Sequence, residues 1–471
     1  MSSIEEGSEW PQAAAPQGLA RIRTALAEIV NGKSDKAVAQ RTAFWAFAIR
    51  VSSAGLAFVA QILLARWLGQ HEYGIFAFVW VFLVMVGALT PLGFSTMAQR
   101  FVPQYRTSGD LDLARGFLTG SRVFVFAVAS GLALLGCALV ALLSPWVGQD
   151  YVLPLYIALA CLPIYAVMDV QDGISRNFNW VGIGLGLPYL VRPFLIIAIV
   201  AAIMLVYGEV HAVSATYAMA LAVWASGLAQ LLMLNRSLRR KIEPGGRRYA
   251  WRAWITASVP VLLVDGFYVI LTNVDIMILT AMAGPSDVAI YYAAVKVLAL
   301  VSFIPFAVTA ATAHKYSEYH AAGQRAELES FVRDSVRWTF WPALTATGGL
   351  LIVGKPLLWL FGEGFGDAYP LLFIFALGLL ARASVGPVDR ILNMMGQQNR
   401  CAVVYGTSLA LNIALNIALI PFFGLYGAAI ATAATLLVES FLLALVAWRQ
   451  LGLHVFIVDL RSGRPGASAK G

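Results

Sequence analysis

The chain has 471 residues, of which 60% are hydrophobic and 12% charged, with a mean hydropathy of +0.75. Soluble domains are roughly half apolar and a quarter charged, so this balance excludes an ordinary water-soluble protein and places the chain in a membrane. The formal net charge of +8 would suggest nucleic acid as the partner of a soluble protein; here its distribution among loops carries the information.

The first segment, 1–42, is polar, carries Pro11 and Pro16, and has no apolar stretch of the kind a secretory signal needs, so no cleaved leader is expected. Within it "LARIRTALAEIV", Leu19 to Val30, is weakly amphipathic and reads either as a solvated helix or as one lying on the membrane surface. About twelve apolar runs follow, each long enough at about 1.5 Å per residue to cross a hydrocarbon core of about 30 Å. They centre on 44–66, 75–96, 122–144, 152–171, 183–206 and 212–234, then on 255–279, 287–311, 339–361, 369–386, 401–421 and 426–448. Short alternating strands, the mark of an outer-membrane barrel, are absent, so the expected fold class is an all-α, polytopic membrane protein. Cys137, Cys161 and Cys401 lie in or beside apolar runs, as small core residues do, with no disulfide framework or metal-ligand spacing.

The loops fall into two alternating sets. One holds the basic residues: Arg100, Arg106 and Arg115; Arg176; the block "NRSLRRKIEPGGRRYAWR"; Arg325 and Arg333; Arg382, Arg390 and Arg400; and Arg449. The other holds almost none beyond Arg66 and Lys355. By the positive-inside rule both termini are expected in the cytoplasm, which an even number of spans also requires.

Two stretches resemble each other: "LLARWLGQHEYGIFAF" from Leu63 and "ILTAMAGPSDVAIYYA" from Ile278. Placing Gly69 on Gly284 aligns Glu72 with Asp287, Phe76 with Tyr291, Arg100 with Lys315 and Phe101 with Tyr316; farther on, Asp172 meets Asp389. Matches at polar loop positions are not what chance alignment of apolar helices produces. The expected organisation is therefore two six-helix lobes, 43–234 and 254–449, joined by a basic cytoplasmic linker at 235–253 and followed by a cytoplasmic tail at 450–471. An even number of spans per repeat relates the lobes by an axis along the bilayer normal, with a central cavity between them that rocking exposes to one face or the other.

Three further motifs carry a family resemblance: "LGFSTMAQRFVPQY", "VDIMIL" leading into "AIYYAAVKV", and above all "LNIALNIALIPFFGLYGAAIAT", with Asn412, Asn416, Pro421, Gly424 and Gly427. Over residues 44–448 the chain resembles the multidrug/oligosaccharidyl-lipid/polysaccharide exporter superfamily, and within it the polysaccharide transporter branch that flips lipid-linked O-antigen and exopolysaccharide repeat units. The resemblance implies two six-helix lobes with alternating access, and a role in lipopolysaccharide or exopolysaccharide biosynthesis. It implies the bacterial inner membrane, an undecaprenyl-diphosphate-linked oligosaccharide as cargo, and contact with membrane lipids and other polysaccharide assembly proteins. Twelve spans favour this branch over the lipid II flippases, which typically add two. Read physically, Asn412 and Asn416 share a helix face and form either a polar clamp between helices or a ligand contact.

Ionisable residues inside spans are the best functional pointers, because each costs about 2.5–3.5 kcal/mol at mid-bilayer and must face protein or water. Arg50 shares a face with Ser53, Ala57 and Gln61; Asp265 shares one with Tyr268, Thr272 and Asp275. Arg50 plus the repeat offset of 215 residues (Gly69 to Gly284) lands on Asp265, which suggests a charge pair across the cleft that forms in one state and breaks in the other. A static pair within one lobe, or Arg50 snorkelling to the interface, is the alternative. Arg192 and Lys296 are the other cations inside spans; with Arg50 they are candidates to offset the charge of a lipid diphosphate. Asn273 and Asp275, with Gln61, are candidate coupling-ion or cavity polar residues. No pattern demands catalysis, a metal or a cofactor. "GIGLG" at Gly182 lacks a preceding strand and reads as a packing feature, and no Walker sequence occurs. The rival readings are a cation-coupled multidrug exporter, which would favour an acidic first helix; a membrane polysaccharide polymerase, which needs larger outer loops; and an assembly scaffold.

Overall fold

The computed structural model describes residues 35–146 and 148–457. The amphipathic stretch Leu19–Val30 and the end of the C-terminal tail fall outside these residues. All regular structure described is helical. The helices are α1 (Asp35–Leu89), α2 (Phe94–Thr107), α3 (Leu111–Leu143), α4 (Gln149–Arg176), a π-helical run (Gly182–Val191) that continues into α5 (Arg192–Tyr207), and α6 (Ala212–Lys241). They are followed by α7 (Trp251–Leu271), α8 (Val274–Met282), α9 (Pro285–Ala299), α10 (Phe303–Ala321), α11 (Arg325–Trp359), α12 (Tyr369–Ser384), α13 (Val388–Met394), α14 (Gln398–Phe423) and α15 (Leu425–Leu451).

Among the described residues nine helices are long and apolar enough to cross a membrane, or ten if the bent pair Pro285–Ala299 and Phe303–Thr309 forms one span. The chain is a multi-pass membrane protein. The difference from the twelve expected runs has physical causes. The runs at 44–66 and 75–96 belong to one stretch, Phe47–Thr107, and are parted from each other by a single non-helical residue, Gly69, at φ 73° and ψ 172°. Only glycine adopts that conformation without strain, so the polar turn of the sequence is compressed into a kink. The run at 287–311 is the bent pair, with a 41° break, and the run at 339–361 is the second half of α11, which is not among the nine. The expected seventh span, 255–279, is also interrupted: α7 stops at Leu271, and α8 starts at Val274 after Thr272 and Asn273.

Helices α1 to α6 pack mainly on one another, around α4, which touches α1, α2, α3 and α6. In the second half α14 packs on α15 and α7, and α15 on α12. Small residues permit this approach: a Cβ on Gly378 would lie 2.9 Å from the Ala433 Cα, and one on Gly173 2.1 Å from the Ser95 carbonyl oxygen. Asn416 donates to the Asn412 side-chain oxygen at 2.9 Å and Asn412 donates to Thr435 at 3.3 Å, so these two residues clamp α14 to α15. The main link between the halves is α1 against α9.

Loops of the same set meet one another: Arg115 meets Glu243 in the basic set, and Arg66 meets Leu360 in the other. At the basic end the linker is held rather than free. The Arg248 amide donates to the Asp112 carbonyl at 3.0 Å, Arg115 Nε donates to the Glu243 carbonyl at 2.8 Å, and Arg248 pairs with Asp110. The tail starts by folding back, with Leu453 and Val455 buried and the Ile457 amide bonded to the Ser384 carbonyl. Each half carries a charge cluster at this end: Asp172 with Arg176 at 2.5 Å, and Arg382 with Asp389 at 2.9 Å and with Glu439 at 3.4 Å. The Glu439 side chain is 4% exposed, so Arg382→Ala would strand it without a counter-ion. We expect that change to cost about 3 kcal/mol, the lower end for breaking a buried pair, and to lower the melting temperature in detergent. Arg390→Ala is the control: its pair with Asp389 is 3.8 Å long and its side chain 54% exposed, and it should leave the melting temperature nearly unchanged.

Candidate functional site

At the Gly69 end the two halves touch without a gap. A Cβ on Gly74 would stand 1.8 Å from the Pro285 carbonyl oxygen, so the chain just after the kink in α1 meets the start of α9 backbone to backbone. Around this point Tyr73 packs on Tyr292 and Phe365, and Phe58 on Phe361. Arg66 Nε donates to the Leu360 carbonyl at 2.7 Å. Gly364, at φ 83°, leaves room for the Gln70 amide, which a Cβ there would meet at 2.4 Å. Gln61 accepts from Tyr73 at 2.8 Å, and the Lys296 ammonium sits over the Tyr292 ring at 4.4 Å. Gln61 and Lys296 thus stand on the two sides of the seal, joined through the Tyr73–Tyr292 contact.

Deeper toward the basic end lie the charged side chains of the spans. Arg50 and Asp265 each stand 19 residues before the glycine closing their span, Gly69 and Gly284, and so at a similar depth. Arg50 is half-buried with its guanidinium 4.1 Å from the Tyr189 ring centroid. Asp265 is exposed, and Tyr268 one turn on is 49% exposed. No ion pair joins Arg50 to Asp265 in this conformation. Asp265 instead lies in electrostatic range of Asp169 on α4 and of Arg390 in its own half. Arg192 is buried between two rings, 5.1 Å from Tyr165 and 5.3 Å from Trp80, and its Nε has no hydrogen-bond partner. Both cations are held on rings of the first half, Arg50 on Tyr189 and Arg192 on Tyr165 and Trp80.

The backbone explains the placement. The π-helical run from Gly182 to Val191 carries three glycines and Pro188, and a Cβ on Gly184 would lie 2.9 Å from the Asp172 carboxylate. Gly184 therefore serves close packing on α4, and the widened turn sets the direction of Tyr189 and Arg192. Asn273 and Asp275 do not form one site. Asn273 donates back to the Val269 carbonyl at 2.8 Å. Asp275 is buried, with Oδ1 accepting from the Ile276 amide at 2.9 Å and Oδ2 from Tyr291 at 2.5 Å and Thr432 at 3.4 Å. Both oxygens are occupied by protein donors, so in this conformation Asp275 clamps α8 to α9 and α15. The expected stripe from Asp265 to Asp275 fails because the helix breaks at Thr272, and the 100° phase does not carry across. Asp169, Tyr165, Tyr189 and Trp80 were not among the residues singled out from sequence. An acid inside the span 152–171 was a readable signal for Asp169; nothing in the sequence marked the three rings.

Comparison with known proteins fits this architecture. The polysaccharide biosynthesis protein family matches residues 39–313, and the lipid II flippase MurJ family matches residues 191–460. The chain is a member of the polysaccharide biosynthesis protein family. Among solved structures this family member is similar to an inward-facing multidrug resistance MATE transporter of the MOP superfamily, with a TM-score of 0.70 and 15% identity over 85% of this chain and 94% of that one. Lipid II flippase MurJ in an inward closed conformation gives a TM-score of 0.67 at 15% identity, over 86% of this chain and 87% of that one. These likenesses establish the fold of the superfamily named by the sequence resemblance. In sequence the family member is 22% identical over 425 residues to a probable low-salt glycan biosynthesis flippase, Agl15, of Haloferax volcanii, covering 85% of this chain and 82% of that protein.

Proposed function

We propose that the protein is an alternating-access flippase that moves a lipid-linked oligosaccharide of the undecaprenyl-diphosphate type from the cytoplasmic to the outer leaflet of a bacterial inner membrane. The observation that carries this reading is the pair of ring-held guanidiniums inside the first half, Arg50 on Tyr189 and Arg192 between Tyr165 and Trp80, in a molecule whose halves meet backbone to backbone at the Gly69 end. Guanidiniums held on rings suit a diphosphate, and aromatic faces suit sugars. By the charge of the loops, both termini and the basic end face the cytoplasm, so the site is presented to the leaflet where the lipid-linked unit is assembled. The similarity to a glycan biosynthesis flippase and to the MurJ family supports a glycolipid cargo over a cationic drug. The proposed cargo crosses without making or breaking a covalent bond. The O-antigen or exopolysaccharide repeat unit would feed an assembly machinery on the outer side.

The test is transfer of a labelled undecaprenyl-diphosphate oligosaccharide across proteoliposomes. Protein-dependent transfer, competed by unlabelled glycolipid and not by a lipophilic cation, is the expected result. Transport of the cation with no movement of glycolipid would replace this reading by drug export.

A further inference from the structure

Away from the seam, a groove of about 950 Å³ lies between α3, α4, α6 and the linker at the basic end. Its cations are Arg115, Arg122, Arg239 and Arg247, against a single lining carboxylate, Glu243. Arg115 is already neutralised by Asp112 at 2.7 Å. Arg122 is not. It is half-buried, and its donors go to uncharged acceptors, the Leu118 carbonyl at 2.7 Å and the Asn235 side chain at 2.6 Å. The charge that acts on it is a like charge, Arg247. Arg239 and Arg247 are exposed and make no ion pair with a carboxylate. Three guanidiniums that make no ion pair line one groove with a single carboxylate, Glu243, among them, and this excess of positive charge is short of an anion.

The other side of the groove has the opposite character. From Arg122 the lining of α3 runs on to Val123 and Phe126; from Arg239 the lining of α6 runs through Leu231 and Leu228 to Trp224. Val123, Phe126 and Leu228 are 62%, 44% and 45% exposed, on helices long enough to span a bilayer. Cations therefore stand at headgroup level, and a hydrocarbon surface leads from them toward the bilayer centre. One ligand has an anionic head and an apolar tail in that order. We infer that this groove binds an anionic glycerophospholipid, its phosphate among Arg122, Arg239 and Arg247 and an acyl chain along α3 and α6. Bound there, the lipid would tie the linker to both helices, an effect independent of the cargo the transporter carries.

The experiment is native mass spectrometry of the full chain, released from nanodiscs of phosphatidylglycerol and phosphatidylcholine in equal parts, beside the double variant Arg239→Gln, Arg247→Gln. Both replaced side chains are exposed, so the variant should keep the wild-type melting temperature, and this is measured alongside. Wild type should retain one phosphatidylglycerol in preference to phosphatidylcholine by at least fivefold, and the variant should lose the preference. Equal retention of the two lipids, or an unchanged preference in the variant, would overturn the inference. Displacement by millimolar inorganic phosphate would identify a free-anion site instead. Displacement by farnesyl diphosphate, with phosphatidylglycerol ineffective, would assign the groove to the cargo. A lost preference in the variant with undiminished glycolipid flipping would separate this site from the transport function.

Discussion

Gly74→Val should leave the protein folded in the membrane yet abolish most transport, by preventing closure at the Gly69 end. The added Cβ would start 1.8 Å from the Pro285 carbonyl oxygen, an approach no side chain tolerates, and the obstacle is backbone on both sides. Nothing flexible can move aside, so the halves themselves must part. Two bulky methyl groups at the tightest point would turn a sealed end into a wedged one, and a wedge cannot be in place in one state of a cycle and absent in another. The measurement is labelling of a cysteine placed at Gln70 by an impermeant maleimide added to that side. Labelling at least tenfold faster than in a Gln70→Cys protein that keeps Gly74 is expected, together with loss of flipping. Slow labelling with normal flipping would mean that the seal re-forms by a local shift and that this contact does not govern the cycle.

The second large effect falls on Arg50. Its guanidinium rests on Tyr189, and no carboxylate is paired with it in this conformation. Hydrogen bonds to a charged group contribute about 1.5–3 kcal/mol, and 1.4 kcal/mol is tenfold in a rate or binding constant. Arg50→Ala should therefore slow glycolipid flipping by about tenfold to a hundredfold, with Arg50→Lys keeping the charge and part of the rate. Asp265→Ala and the exchanged pair Arg50→Asp, Asp265→Arg decide how the two residues are related. If they pair in the state not seen here, each single change should be slow and the exchange should recover part of the rate. An exchange as slow as Arg50→Ala alone would remove the pair and leave Arg50 as a cargo contact. The present conformation already bears on the pairing. Asp265 lies in electrostatic range of Asp169 in the other half, so a pairing with Arg50 would also offset the repulsion between these two acids.

Much of this architecture was readable in the chain because its signals are long. An apolar run of about twenty residues has one economical use, and basic loops on alternate turns order those runs in space. The places where reading failed are places where the helix itself is irregular. Asp275 was assigned to the stripe of Asp265 by assuming an unbroken helix, and the interruption at Thr272 and Asn273 turned it toward Tyr291. Tyr189 and Arg192 sit at the end of a run with i to i+5 bonding, where a phase of 100° per residue no longer applies. Buried acids were a different matter: Asp169 and Glu439 both stood within predicted spans, and the rule applied to Arg50 would have found them. The internal repeat placed Gly69 over Gly284, but it could not say that Gly74 meets Pro285, because a contact between two halves leaves no trace in the spacing of either one.

That contact has a pharmacological consequence. Where glycine and proline main chains touch, a blocker arriving from that side meets backbone and not a side chain that it could displace. With the orientation proposed above, an antibiotic or antibody acting from outside the cell would have to wait for the transporter to open, and its potency would track how often it does. A compound able to reach the cytoplasm would approach from the basic end, where Arg50 is half-buried on its ring while Arg192 is closed off between Tyr165 and Trp80.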